Sequence, residues 1–273
     1  MEHKQKVILI TGASAGMGKD FAKELLKDGN IVYGAARRID KMDDIKALGV
    51  KILEMDVTDD ASMVKGINAI VRAEGRIDVL INNAGFGSYG AIEDVSMSDA
   101  KYQLEVNVFG AARLMQLAVP HMRKQHYGRI INISSIGGKV ALPLGGWYHA
   151  SKFALEALSD TLRNEVKPFG IDVIVIEPGG IQSEWGYIAM ENLAKTSGDT
   201  VYEPMAKKLI ASMNEIDKKI PGPQVITHLI KKAISAKKPA TRYSGGYMAK
   251  PLLFLRKILS DRMLDGLLMS QLK

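Results

Sequence analysis

Tyr148 and Lys152 stand four residues apart in Tyr148-His149-Ala150-Ser151-Lys152-Phe153-Ala154, and Ser135 precedes the tyrosine by 13 positions. On a helix, residues four apart share a face. A free tyrosine has a pKa of about 10, too high for efficient proton exchange at neutral pH. A nearby cation lowers it, so Lys152 is expected to lower the pKa of Tyr148 and make it a usable acid. Ser135 follows the apolar run Arg129–Ile133, and its hydroxyl suits an oxygen on which negative charge develops. Ser134, beside it, reads as a structural hydroxyl. Consecutive side chains on a helix diverge by about 100°, so His149 is expected to point away from Tyr148.

A second constellation sits near the N-terminus. The apolar run Val7–Ile10 leads into Thr11-Gly12-Ala13-Ser14-Ala15-Gly16-Met17-Gly18, and a helical pattern follows. Glycines let the backbone turn sharply and approach a pyrophosphate, and a helix start offers free N–H groups to it. Strand, glycine turn and helix in that order are the context a dinucleotide site requires. About 20 residues on, where sites for NAD carry an acidic residue, the chain reads Ala35-Ala36-Arg37-Arg38. A small residue leaves room there, and arginine can clasp a 2′-phosphate with two parallel hydrogen bonds. NADP(H) is therefore expected, with Arg37 as the direct contact and Arg38 supporting it.

The elements that must carry these residues follow from periodicity. Short apolar runs at Val7–Ile10, Ile31–Tyr33, Lys51–Leu53, Val79–Ile81, Arg129–Ile133 and Ile171–Ile176 alternate with stretches of helical length. Continuous apolar strands suit a sheet buried on both faces, and strand–helix alternation implies parallel strands. The expectation is an α/β fold: one doubly wound, Rossmann-type parallel sheet of about seven strands with helices on both faces. It would span residues 1–250 as one domain, with an irregular lid at about 182–223. An amphipathic tail, 251–273, follows.

Composition narrows the class. The 273 residues are 47% hydrophobic and 25% charged, an ordinary globular balance. The net charge of +7 and pI near 9.3 come from Lys and Arg spread along the chain, and no nucleic-acid-binding pattern accompanies them. With no cysteine, disulfides and thiolate chemistry are excluded. The five histidines show no metal spacing with carboxylates, so no metal is expected. The first apolar run is too short for a signal sequence or a membrane span, which points to a cytoplasmic protein.

These motifs, in this order, resemble the short-chain dehydrogenase/reductase family. The glycine pattern Thr-Gly-x-x-x-Gly-x-Gly is typical of it. Asp56-Val57 resembles the pair that holds the adenine ring. Asn83-Ala84-Gly85 lies in the family's strand-four motif beside the adenosine ribose. Asn107 matches its helix-four asparagine, and Pro178-Gly179-Gly180-Ile181-Gln182-Ser183 the motif flanking the nicotinamide, with Ser183 where threonine is commoner. The resemblance covers about residues 5–185, and its overall pattern looks most like the hydroxysteroid and retinol dehydrogenase branch. It implies Ser135, Tyr148, Lys152 and Asn107 as catalytic residues. Lys152 would also bond the nicotinamide ribose, and Asn107 would hold a water linking Lys152 to solvent or simply bond backbone. Gly12, Ser14, Gly16, Met17, Gly18, Pro178, Gly179, Ile181 and Ser183 would join the cofactor contacts. A homodimer or homotetramer is implied, through the helices after Asn83 and around Tyr148.

The segment after residue 182 carries Trp185, Tyr187, Ile188, Met190, Leu193 and Tyr202. Such a lid suits a bulky apolar carbonyl or alcohol of steroid, retinoid or lipid type, or it is plain packing. A 3-oxoacyl or sugar-type reductase is the alternative within the same chemistry. A non-catalytic NADP-binding regulator is the alternative outside it, disfavoured by the joint presence of Ser135, Tyr148 and Lys152. In the tail, Leu252, Leu255, Ile258, Leu259, Met263, Leu264, Leu267 and Leu268 recur at roughly helical spacing, interrupted by Gly266 and mixed with Arg256, Lys257 and Arg262. It reads as packing or a subunit contact, with active-site cover and membrane-surface contact as alternatives.

Overall fold

The computed structural model describes residues 5–217 and 219–270. The last three tail residues and the first four of the N-terminus lie outside them. Strands β1 (Val7–Thr11), β2 (Ile31–Ala36), β3 (Lys51–Glu54), β4 (Val79–Asn82), β5 (Gly128–Ile133), β6 (Ile171–Pro178) and β7 (Arg242–Gly245) form one sheet. Its order is β3-β2-β1-β4-β5-β6-β7, with every pairing parallel. The order reverses between β1 and β4, whose carboxyl ends are the glycine turn and Asn82-Asn83. In open sheets of this kind ligands bind at that crevice.

Strand side chains alternate between two cores. Ile8, Ile10, Val32, Ile81, Ile131 and Ile174 pack under helices α1 (Gly16–Lys27) and α2 (Asp43–Ala47) and, further along the chain, Gln224–Ser235. Leu9, Tyr33, Leu80, Ile130 and Val173 face the other side. There they meet α3 (Asp60–Glu74), α5 (Gly110–Lys124) and α6 (Gly146–Val166), α4 (Met97–Leu104) preceding α5. The lid consists of α7 (Glu184–Ser197) and α8 (Glu203–Asp217); the Gln224–Ser235 helix is α9.

Two parts differ from expectation. Strand β7 has no apolar run: Arg-Tyr-Ser-Gly is half-buried at the sheet edge, so periodicity does not announce it. The tail breaks into α10 (Ala249–Ile258) and α11 (Asp261–Ser270), and the break falls at Leu259–Ser260, not at Gly266. Leu259 is extended, and the Ser260 carbonyl accepts from Leu264 N–H at 3.0 Å to start the new helix. A Cβ at Gly266 would meet open space, so that glycine sits inside α11 without disrupting it.

Arg129 fastens β5 to α9. Its buried guanidinium donates to the carbonyls of Ala233 (2.6 Å), Ile234 and Ala236, groups that the helix end leaves without partners. Asp172 lies 3.6 Å from it and is half exposed. Replacing Arg129 with Met strips three carbonyls of a charged donor. The variant is expected to lose about 2–4 kcal/mol of stability, read as a lower urea midpoint at unchanged slope. Asp172→Asn should lose less than about 1 kcal/mol.

Candidate active site

The glycine turn is stitched to the end of β4. Thr11 Oγ1 accepts from Asn83 N–H and Ala84 N–H, both at 3.0 Å, and Asn83 Nδ2 donates to Thr11 O at 2.9 Å. Gly12 and Gly16 have positive φ (68° and 51°). A Cβ on Gly12 would come within 2.9 Å of Ala84 Cα, and one on Gly18 would strike the Gly12 carbonyl. No side chain fits these positions, and the cradle they leave is lined by backbone, as a pyrophosphate needs. Across it lies Ser183, whose Cβ would be 3.4 Å from a Cβ on Gly16.

At the end of β2 the two arginines take different partners. Arg37 Nη1 donates to the Tyr102 hydroxyl at 2.7 Å and lies 4.0 Å from Asp56 Oδ2. Arg38 Nη2 reaches Ser14 Oγ in the glycine turn at 3.5 Å. Asp56 is fixed by Thr58, which donates N–H (2.9 Å) and Oγ1 (2.8 Å) to its carboxylate, and Val57 packs against Gly110. Arg38 thus borders the glycine turn, and Arg37 lies beside Asp56 and Tyr102.

Tyr148, Ser151, Lys152, Leu155, Glu156 and Ser159 form the buried face of α6. Lys152 Nζ donates to Ile133 O, the last residue of β5, at 2.8 Å. Ser135 Oγ accepts from Gly137 N–H at 3.0 Å, lies 3.4 Å from Pro178 O, and hydrogen-bonds the Tyr148 hydroxyl. Asn107 lies in a π-helical turn, Glu105–Phe109, between α4 and α5. Such turns concentrate at functional sites. Its Oδ1 accepts from Phe86 N–H (3.0 Å), and its Nδ2 donates to Phe86 O (2.9 Å) and Ser151 Oγ (3.0 Å). A Cβ at Gly85 would lie 3.1 Å from Asn107 Oδ1 and 3.7 Å from Lys152 Nζ. Thus Asn107 does bond backbone, and it also borders Lys152.

The electrostatics differ from expectation. Burial pushes the Tyr148 phenol up to about 12, opposed only by its hydrogen bond to Ser135. Burial also brings Lys152 down to about 8, with the Glu156 carboxylate opposing. Lys152 therefore does not depress the tyrosine here. Its ammonium is 5.9 Å from the Tyr148 ring centre and bonds a carbonyl, while desolvation dominates both groups. Around the tyrosine the lid and the loop after β4 take part in this burial: Trp185 lies 5.0 Å from the Tyr148 ring and 6.0 Å from Tyr89, and Tyr89 lies 5.8 Å from Tyr148. Tyr89 follows β4 with no periodic signal, and sequence reading passed over it. Leu144, Ala189 and Leu193 complete this apolar wall, with Met190 and Tyr202 packed behind.

A buried ionic group, also not foreseen, lies one turn beyond Lys152. Glu156 binds Lys139 (3.0 Å) and Arg242 (2.8 Å), and Arg242 also binds Asp160 (2.7 Å) and Glu177 (3.3 Å), tying β7 to α6 and β6. Ser134, buried beside Ser135, donates its N–H to Ile176 O at 2.8 Å.

The comparisons agree with this architecture. The family model described as short chain dehydrogenase matches residues 6–191. The chain belongs to that family. It is 37% identical over 265 residues to a 3-ketodihydrosphingosine reductase of Bacteroides thetaiotaomicron, covering 95% of each chain. An NADPH-dependent 3-dehydrocapnine reductase of Ornithobacterium rhinotracheale is 34% identical, covering 97% of this chain and 96% of that one. A crystal structure of a short-chain dehydrogenase from Streptomyces avermitilis superposes with TM-score 0.80 at 31% identity, covering 98% and 94%. This short-chain dehydrogenase/reductase is accordingly an oxidoreductase acting on CH–OH or C=O groups.

His149, expected to point away from Tyr148, is instead buried with its ring 5.5 Å from the Tyr148 ring, and it holds the serine turn. Its Nδ1 lies 3.0 Å from Gly137 O, and the Gly137 N–H donates to Ser135 Oγ. Burial lowers its pKa, so the neutral ring carries its proton on Nδ1. Asparagine places an amide where Nδ1 sits; glutamine places one near Nε2. His149→Asn should keep kcat within about threefold of wild type. His149→Gln should lose about tenfold or more through a displaced Ser135. Equal rates in the two variants would show that the Gly137 tether does not matter.

Proposed function

We propose that the protein is an NADP(H)-dependent oxidoreductase of a bulky, lipophilic carbonyl or secondary alcohol of steroid, retinoid or lipid type. The observation that carries this reading is the apolar wall of Tyr89, Leu144, Trp185 and Leu193 directly over Tyr148. A hydrocarbon-rich substrate gains by displacing that contact, whereas a sugar would leave its hydroxyls unpaired. The relative named for a 3-keto sphingoid substrate supports a lipid-like ketone, and the NADPH-dependent relative supports the cofactor.

The chain's residues divide the work. Gly12, Ser14, Gly16, Met17 and Gly18 take the pyrophosphate, and Arg37 and Arg38 the 2′-phosphate. Asp56 and Val57 receive the adenine, and Asn83, Ala84 and Gly85 the adjacent ribose. Pro178, Gly179, Ile181 and Ser183 flank the nicotinamide, which supplies the hydride chemistry when bound. Tyr148, still protonated at neutral pH, delivers its phenolic proton to the substrate oxygen. Ser135 Oγ donates to that oxygen as charge builds. Lys152 places a positive charge beneath both and bonds the ribose, and Asn107 holds Lys152's surroundings in place. We further propose a homodimer or homotetramer. Phe109, Phe153 and Leu158 are exposed on the helices around Asn107 and Tyr148.

Two experiments test this reading. In fluorescence titrations, wild type should bind NADPH well above NADH. Arg37→Ala and Arg38→Ala should each weaken NADPH about tenfold or more while leaving NADH unchanged; a wild type that binds NADH as tightly would overturn the cofactor assignment. In a pH profile of bulky-ketone reduction, Lys152 is charged below about 8 and neutral above it, so kcat/KM should fall on an alkaline limb near that value. The limb should vanish from the residual rate of Lys152→Arg. Tyr148→Phe should cost about 10²–10⁴-fold throughout. A panel in which only small polar carbonyls react would sink the substrate class.

A further inference from the structure

The tail helices expose what a soluble domain normally hides. Of the large apolar residues on α10 and α11, only Leu264 is buried. Phe254 is 62% exposed, Ile258 58%, Met263 60% and Leu267 39%. Phe254 and Ile258 are four apart, as are Met263 and Leu267, so each helix bears an apolar stripe.

The charges beside the α10 stripe have one sign. At about 100° per residue, Lys250 and Lys257 flank Phe254 and Ile258 on α10, and both are exposed. On α11, Arg262, Asp261 and Asp265 are all exposed and all fall well off the Met263–Leu267 stripe. Arg256, on the far side of α10, is paired with Asp261 at 2.8 Å. The stripe side of α10 is therefore apolar and cationic, and that of α11 apolar.

The position is equally specific. Tyr247, just ahead of α10, pairs with Gly180, just ahead of the lid helix α7, through reciprocal backbone hydrogen bonds of 3.0 Å. A Cβ on Gly179 would strike the Tyr247 carbonyl. Thus α10 and α7 leave the same point of the sheet edge, beside Pro178. The lid also exposes Ile188 (45%).

We infer that the α10–α11 stripes dock the enzyme on an anionic lipid surface, so that a lipophilic substrate reaches the lid from the bilayer. The inference rests on the substrate class proposed above. A second copy of the chain fits less well, because an isologous contact would set the same patch, with Lys250 and Lys257 and no carboxylate on α10, against itself. Anionic headgroups satisfy those cations while the apolar side chains enter the headgroup–acyl boundary.

The test is vesicle flotation of the full-length protein without substrate, on phosphatidylcholine alone and with about 30% phosphatidylglycerol. Wild type should float with the anionic vesicles and stay largely behind with the neutral ones. Each of Lys250→Glu and Lys257→Glu should weaken binding about fivefold or more, and Phe254→Ser/Ile258→Ser should abolish it. The variants should keep wild-type NADPH binding and turnover of a water-soluble ketone, which shows that they fold. A wild type that ignores anionic vesicles overturns the proposal. So does flotation that survives Phe254→Ser/Ile258→Ser, or a wild-type oligomer that dissociates in that variant while vesicle binding persists. Because no substrate is present, a wrong substrate class would show in the ketone panel and not in this assay.

Discussion

A buried ammonium needs a partner, and Lys152 finds it in the carbonyl that ends β5. Moving an unpaired charge into a protein interior costs several kcal/mol, so the 2.8 Å bond to Ile133 O constrains everything around it. It sets the rotation of α6 on the sheet, and with it the side to which Tyr148 turns. It needs β5 to stop where it does, which places Ser135 two residues later under the tyrosine hydroxyl. Glu156, one turn further, sustains the charge that burial erodes, and its own burial is tolerated because Lys139 and Arg242 hold it.

The same constraint explains the π-turn and the lid. Asn107 can face Ser151 and Gly85 only because the helix between α4 and α5 widens there, and its amide satisfies both backbone groups of Phe86. On the opposite side, α7 lays Trp185 across Tyr148. That contact removes water from the phenol and is one reason it holds its proton so firmly. The placement of Ser135, Tyr148 and Lys152 thus comes from α6 and β5, and α7 adds the apolar cover over Tyr148.

Much of this was legible in advance for a simple reason. Six of the seven strands read as apolar runs, and the candidate site residues lie in short contiguous stretches, at strand ends or one turn apart on a helix. Local spacing suffices to place Tyr148 with Lys152, and a strand–glycine–helix order suffices to place Gly12, Gly16 and Gly18. Strand β7 was not legible, because it is held by the ion pairs of Arg242 and not by apolar burial. Tyr89 was not legible either, because a loop residue carries no period.

What the sequence determined by itself was the doubly wound sheet, the identity of the serine, tyrosine and lysine, and the glycine cradle with two arginines beside it. These are encoded in neighbours along the chain, through periodicity and backbone freedom. Only the tertiary structure decided the proton affinities of Tyr148 and Lys152, since both are set by burial among residues distant in sequence. It also decided that His149 holds the Ser135 turn and that the tail helices keep their apolar stripes outside. Such outcomes depend on which surfaces meet, and hydrophobic side chains look alike in sequence whether they end in a core or facing out.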